Sequence, residues 1–266
     1  MKPIHVTTDI QMPAGYSEYE INTDRDIEIT FTARETCDVF IRILNTGKLK
    51  IRTYVSKGIH VNYLFWNLSE NILDVEETYE VMGDANVTVA YGEINRADTT
   101  RTVHMALREE GATGLLSSAS LVDCTKTYNM NVVNYAPHTY GDMKNYAVVL
   151  GNGRLMIDAI GKIIKGAYRS ESHQTSRALS FAEGQNAIIL PELLIDEDDV
   201  QASHAMSMGR VDEDALYYLM SRGLSVQQCT SLISQGYLMP ITETLENEDL
   251  KTKLKEEMER KIAELC

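Results

Sequence analysis

Apolar and polar residues alternate along most of the chain up to about residue 208. Ile27, Ile29 and Phe31 occupy one face of a predicted strand, and Glu28 and Thr30 occupy the other. Segments of this kind recur about every ten residues, with Gly or Asn between them, and no helix-length segment with a 3.6-residue period separates them. The pattern therefore predicts a mainly β protein over this part of the chain.

Three architectures fit a long series of short strands: a sandwich, a barrel and a solenoid. In a solenoid each strand stacks on the equivalent strand of the next coil, so the chain needs no hairpin turns and Asn-Gly turn signals are scarce. The segment Gly151–Gly153 is the nearest approach to such a signal. Alternation alone leaves the choice among the three open.

The pattern changes between Pro191 and Gly236, where the last predicted strand gives way to helices. In that strand the residues on one face are Val200, Ala202, His204, Met206 and Met208. A histidine on an apolar face is more often a satisfied core or interface residue than a metal ligand. From the residues alone, His204 is therefore interpreted as structural.

Two short helices follow. Asp212 and its acidic neighbours favour a helix N-terminus, the apolar stripe continues to Met220, and Gly223 stands where a left-handed C-cap is expected. The second helix begins at Ser225 with a capping box to Gln228 and ends at Gly236. Its predicted buried face consists of Cys229, Leu232 and Ile233.

A longer amphipathic helix is predicted near the C-terminus, with Glu246 to Asp249 at its start. Its apolar positions are Leu250, Leu254, Met258, Ile262 and Leu265. This face could pack on the β part or on the two short helices. We therefore divide the chain into a β core over residues 1–209 and a small helical subdomain over residues 210–266.

Composition narrows the classes of function. The formal net charge of −14 argues against a nucleic-acid partner or an anionic membrane surface, because both are bound by basic patches. No segment has the roughly 18 consecutive apolar residues of a membrane span, and the N-terminus lacks a secretion signal. The four cysteines are scattered, which favours free thiols in a reducing cytoplasm.

The catalytic and nucleotide-binding motifs that would define an enzyme are missing. The sequence contains no GxxxxGK[ST] loop, no HExxH, no GxSxG and no CxxC. The six histidines are dispersed along the chain. The residues by themselves indicate a β protein with a helical tail, and they define no reaction.

The segment PELLIDEDDV and, shortly after it, SHAMSMGRVDEDALYYLMSRGLS resemble the C-terminal signature of the SufB/SufD family, the scaffold proteins of the SUF system of iron–sulfur cluster assembly. The resemblance extends more loosely through NYAPHTYGDMKNYAVVL, GRLMIDAIGKI and YRSESHQTSRAL, so that it covers roughly residues 130 to 236. It implies a right-handed parallel β-helix and a non-enzymatic, cytoplasmic scaffold.

The resemblance also implies a site. His204 matches the histidine that lies at the subunit interface where a nascent cluster is thought to be assembled, and Glu171, His173 and Ser176 are weaker candidates as ligands. SufB has a cysteine at the position of Ser176 and a glutamate at that of Ala205. These two differences, and strands that begin by about residue 18, favour a shortened relative closer to SufD, without the N-terminal helical domain of many family members.

In the family, the C-terminal helices bind SufC, an ATPase resembling those of ABC transporters. The corresponding exposed surface here would consist of Tyr217, Tyr218, Met220, Arg222 and Leu224, because Tyr, Met and Arg are common at interface hot spots. The expected assembly is a homodimer or a pair with a SufB-like chain. It would carry at most a transient iron–sulfur cluster and would use ATP only through the ATPase partner.

Two other functions compete with this one. A regulatory adaptor would bind the ATPase but no cluster, and the missing cysteine favours it. A β-helix carbohydrate lyase or hydrolase would need a cleft of paired carboxylates, for which Asp142, Asp158 and Glu171 are the candidates.

Overall fold

The computed structural model describes residues 2–4, 8–181, 186–244 and 247–265. Within them the chain forms seventeen β-strands, then two α-helices, a 3₁₀ helix and a third α-helix. The strands are β1 (Lys2–Ile4), β2 (Thr8–Met12), β3 (Gly15–Asn22), β4 (Ile27–Ala33), β5 (Cys37–Asn45), β6 (Lys48–Val55), β7 (His60–Asn67), β8 (Leu73–Val81), β9 (Asn86–Glu93), β10 (Thr99–Leu107), β11 (Thr113–Val122), β12 (Thr125–Asn134), β13 (Tyr140–Val149), β14 (Arg154–Ile163), β15 (Glu171–Ser180), β16 (Ala187–Ile195) and β17 (Gln201–Arg210).

Consecutive strands alternate between two sheets. The odd-numbered strands form a nine-stranded sheet, here sheet A, and the even-numbered strands form an eight-stranded sheet, here sheet B. The paired strands in both sheets are parallel. Each coil therefore contributes one strand to each sheet, and the chain is a parallel β-solenoid. The predicted fold class is confirmed, and the choice among sandwich, barrel and solenoid is settled.

Successive coils contain the same turn, although residues of different types occupy it. Gly58, Asp84, Gly111, His138 and Arg169 all have φ between 54° and 76° and follow one another from coil to coil. Each donates its backbone N–H to a carbonyl in the next coil, as Asp84 does to Glu110 at 3.0 Å and His138 does to Tyr168 at 3.0 Å. Non-glycine residues adopt this left-handed conformation at some cost, which the hydrogen bonds between coils offset.

Inward positions of both sheets form the core of the solenoid. Ile27, Ile29 and Phe31 are buried as their alternation predicts, and the same inward positions of later coils stack on them. Aromatic rings form part of this stack, with the ring of Phe31 centred 5.9 Å from that of Tyr63. The period-two pattern therefore identifies the residues that face the interior of the solenoid, here called the lumen.

The helices are α1 (Glu213–Ser221), α2 (Val226–Leu238), the 3₁₀ helix (Met239–Thr244) and α3 (Glu248–Leu265). Along α3 the apolar stripe is buried from Leu250 to Ile262, and it packs on the outer face of sheet A over Phe40 and Trp66. Of the two packing modes left open, α3 adopts both, because it also packs against α2, where Gln227 Nε2 donates to the carbonyl of Ala263 at 3.4 Å. Glu246 and the side chain of Leu265 lie outside the described residues.

Two details of α2 differ from the prediction. Leu232 is exposed, and the buried residues are Cys229, Thr230, Ser234 and Leu238. The helix also continues through Gly236, since a helical glycine costs only about 1 kcal/mol relative to alanine and the burial of Leu238 favours another turn. The capping box at Ser225 and the positive φ of Gly223 are confirmed.

Candidate functional site

The last coil leaves one end of the solenoid open. β17 pairs only with β15, and β16 pairs only with β14, so both are edge strands. Every residue of β17 is exposed. The exposed apolar side chains at this end include Leu194, Met206 and Met208. An edge strand with unpaired backbone groups and exposed apolar side chains is a ready surface for pairing with another strand.

His204 lies on this open coil. It is exposed, so it is not a core histidine of this chain, and the alternative of an interface histidine stays a prediction. In the strand register it stacks over Gln174, a side chain that is only 2% exposed. Gln174 donates from Nε2 to the carbonyl of Glu192 at 2.8 Å, whereas its Oε1 atom has no partner among the described residues. A buried amide oxygen without a partner therefore lies one coil below the imidazole.

Ser176 is on the same strand face as Gln174 but is already engaged. Its hydroxyl accepts a hydrogen bond from Asn145 Nδ2 at 3.2 Å, and Asn145 Oδ1 accepts from Ser118 Oγ at 2.7 Å. All three side chains are buried. This ladder uses the hydroxyl for packing between coils, and the residue that stacks on Ser176 in the next coil is Met206 rather than His204.

Glu171 and His173 lie on the opposite face of β15 from Ser176. His173 is within 3.0 Å of Glu171 through Nε2 and within 2.7 Å of Ser203 Oγ through Nδ1, and its ring packs against Tyr140. The four candidates therefore do not form one ligand set, because alternation puts two inside the lumen and two outside. Across the described ranges no three His, Cys, Asp or Glu side chains are grouped to hold a metal ion.

The three carboxylates proposed for a carbohydrate-active enzyme do not lie on one sheet. Asp142 is on the outer face of sheet A, where it is 5% exposed and 2.9 Å from Lys144 Nζ, and Glu171 is on the neighbouring strand. Asp158 is on the outer face of sheet B. A common catalytic cleft for all three is therefore contradicted by the fold.

The sequence analysis missed a cluster of charges inside the lumen. Glu77, Glu93, Arg101 and Lys126 are buried, with two positive and two negative side chains. Arg101 pairs with Glu77 and, at 2.7 Å, with Glu93. Burial lowers the pKa of Arg101 to about 9, so the guanidinium stays charged at neutral pH. The signal was available, because Arg101 alternates in step with the inward residues Val103 and Met105.

Hydrogen bonds satisfy much of this cluster. Glu77 accepts from the hydroxyl of Tyr79 at 2.5 Å and from that of Tyr91 at 2.7 Å, while Glu93 accepts from Asn67 Nδ2 at 2.6 Å. Burial raises the pKa of Glu93, and the charge of Lys126 and the Asn67 hydrogen bond oppose that rise. Buried ions persist only when paired and hydrogen-bonded in this way.

Helix α1 carries the predicted partner-binding residues, and it has no buried residue. Tyr217 is 75% exposed, Tyr218 is 56% exposed and Met220 is 45% exposed. Arg222 is exposed with its guanidinium 5.1 Å from the ring centre of Tyr218, whereas Leu224 is half-buried. The tyrosines thus form an apolar surface that the described chain leaves uncovered.

The parallel coils, the exposed terminal strand β17 and the exposed helix α1 define a β-solenoid with two exposed elements. The family model of the SUF system FeS cluster assembly SufBD core domain matches residues 24–237. The chain therefore belongs to the SufB/SufD family. No helix within the described ranges is long and apolar enough to cross a membrane.

The chain is more similar to the SufD relatives than to the SufB relative. The chain is 33% identical over 181 residues to the iron-sulfur cluster assembly protein SufD of Bacillus subtilis, covering 67% of this chain and 41% of that protein. It is 29% identical over 104 residues to SufD of Escherichia coli, covering 39% and 25%. Its identity to Bacillus subtilis SufB is 24% over 220 residues, covering 80% and 47%. The chain thus aligns with less than half the length of each of these relatives.

Proposed function

We propose that this chain is a SufD-like, non-enzymatic scaffold component of iron–sulfur cluster assembly. It pairs with a second SufB/SufD-type chain through β17 and binds a SufC-like ABC-type ATPase through α1. The observation that carries the proposal is the exposure of both elements, since β17 and α1 contain no buried residue. Membership of the SufB/SufD family supports the proposal, because both surfaces would have partners in the SUF system.

The ATPase surface is centred on the paired tyrosines of α1. Tyr217 and Tyr218 supply large, rigid apolar area with a polar tip, and Arg222 stacks on Tyr218, so little side-chain entropy remains to be lost on binding. Their truncation leaves the solenoid intact, because neither ring is buried in it.

Binding to a purified SufC-like ATPase tests this surface. The double variant Tyr217→Ala and Tyr218→Ala should weaken binding at least a hundredfold, as expected for interface aromatic anchors. Ile72→Ala, which also removes a large exposed apolar side chain but lies in a turn of the solenoid, is the matched control. Equal affinity of the double variant and the control would refute the docking surface on α1.

Cluster chemistry is assigned to His204 on the open coil. When neutral, its exposed imidazole can ligate iron, and the pairing of two chains would bring further ligands from the partner. Anaerobic reconstitution with iron and sulfide, alone and with the ATPase, should give a visible absorption band in the wild type and none in His204→Ala. A band of equal strength in both proteins would eliminate His204 as a ligand.

The regulatory adaptor is the second candidate. It is favoured by Ser176, whose hydroxyl is buried and hydrogen-bonded at the position where SufB-like chains carry a cysteine. A serine hydroxyl is a poor iron ligand compared with a thiolate. The adaptor predicts ATPase binding with no cluster band in any sample, so the two experiments above separate the candidates.

A further inference from the structure

A cleft opens between the outer face of sheet A and the C-terminal end of α2 with the 3₁₀ helix that follows it. Its volume is about 360 Å³, within the range of small-molecule sites. Strands β11, β13 and β15 form one wall through Ser117, Tyr146 and Arg177, and Tyr237 and Ile241 belong to the opposite wall. The cleft is separate from the open coil and from the exposed tyrosines of α1.

The cleft has an apolar base. Ala119, Leu238 and Ile241 line it and belong to the buried apolar cluster that joins sheet A to the helices. Tyr146 and Tyr237 are half-buried beside them and present ring surface to the space between. Such walls favour a flat aromatic or other apolar body, whose transfer from water stabilises binding in proportion to the area covered.

Two cations stand at the cleft. Lys144 and Arg177 face outward from neighbouring strands, where Arg177 pairs in register with Tyr146 and Lys144 pairs with Thr175. They are therefore diagonal neighbours, roughly 7–8 Å apart at Cα, and both can reach one bound group. Lys144 is 2.9 Å from Asp142, which partly neutralises it.

Arg177 has no such neutralising partner. It is exposed, and within the residues that the structure describes it forms neither an ion pair nor a side-chain hydrogen bond. The chain has a net charge of −14, yet none of the described residues that line this cleft is a carboxylate. Its planar group offers paired N–H donors that match a carboxylate, phosphate or sulfonate.

We propose that this cleft binds a small molecule with an apolar, aromatic body and one anionic group, the body lying between Tyr146 and Tyr237 and the anion on Arg177. The proposal is independent of cluster assembly, since it uses no residue of β17 or α1. It assigns a ligand-binding role to the junction between the solenoid and the helices, beyond scaffold and ATPase contacts.

Two fluorescent probes with the same body test the charge requirement. 8-Anilinonaphthalene-1-sulfonate carries the anion, and N-phenyl-1-naphthylamine lacks it. Fluorescence titration of the full chain should show a site that binds the sulfonate at least tenfold more tightly than the amine. In Arg177→Gln this preference should fall to about twofold or less, since one charge-assisted hydrogen bond accounts for roughly a factor of ten.

Two further variants locate the site. Ser117→Trp places a ring in the cleft from a half-buried position and should abolish the same component of sulfonate binding. Arg154→Gln removes an exposed arginine from sheet B and should leave it unchanged. Probe that binds the exposed apolar surfaces of α1 or β17 would give the same fluorescence in all variants, and this component is subtracted from each titration. Equal sulfonate affinity in wild type, Arg177→Gln and Ser117→Trp would overturn the proposal.

Discussion

Individual residues inside the lumen include charged side chains, which a protein core normally excludes. Arg101 is fully buried, yet Glu77 and Glu93 contact its guanidinium and the ring of Tyr91 lies 4.2 Å from it. Removing one member of such a set is costly, because its partners keep their charge without compensation. The cluster is therefore a structural element whose members depend on one another.

Arg101→Met should destabilise the chain by about 3–5 kcal/mol, since it leaves two buried carboxylates facing an apolar side chain. Urea unfolding followed by circular dichroism measures the change. Arg52→Met is the matched control, because Arg52 is 2.6 Å from Glu28 on the surface and such pairs contribute less than about 1 kcal/mol. Similar losses in the two variants would contradict the view of the lumen charges as mutually dependent.

Among the secondary-structure elements, α3 joins the C-terminal part of the chain to strands β5 and β7 of sheet A. Its buried stripe covers the outer face of sheet A, and Glu257 accepts a hydrogen bond from Trp66 Nε1 at 2.9 Å and pairs with Arg42 at 3.3 Å. Gly92 makes this packing possible, because a Cβ there would lie 2.3 Å from the Trp66 ring. The chain has one tryptophan, so the emission spectrum reports on the surroundings of Trp66 beneath α3.

Leu254→Asp should release α3 from the sheet, because it puts a carboxylate at a position that is fully buried. Trp66 would then meet water, and its emission should shift to longer wavelength while the β signal in circular dichroism is retained. Thr252→Asp introduces the same charge at an exposed position of the helix and should leave the emission unchanged. An unshifted spectrum in Leu254→Asp would mean that α3 does not depend on this stripe.

For the whole molecule, the main consequence of the fold is its unpaired end. Each interior strand forms backbone hydrogen bonds with a strand on both sides. In contrast, β17 pairs with β15 on one side only. Within β17, Met206 is 48% exposed and Met208 is 38% exposed. The proposed pairing of two chains would cover both the free edge and these side chains.

Met206→Lys combined with Met208→Lys should therefore weaken self-association, or association with a SufB-like chain, at least tenfold in dissociation constant. Analytical ultracentrifugation of each variant against the wild type measures it. Ile72→Lys adds the same charge at a turn residue that is 74% exposed and distant from β17 along the chain. If both proteins associate with wild-type affinity, β17 is not the pairing surface.

The sequence by itself determined the strands, the helix caps and the family, because alternation, capping residues and a long C-terminal motif are local signals. Ile27 and Leu254 are buried and Ser225 caps α2, as the residues around them in the sequence predict. The family resemblance also led to the expectation that Tyr217 and Tyr218 are exposed, and both are.

Only the tertiary structure decided which residues meet. Stacking one coil on the next separated His204 from Glu171 and His173, joined His173 to Ser203, and brought Glu77 to Arg101. Each of these relations depends on the register between strands and on coil length, which grows along the chain, so that Ile27 pairs with Leu49 but Ile157 pairs with Ile189. No local pattern encodes such a register, because it is set by packing among residues far apart in the sequence.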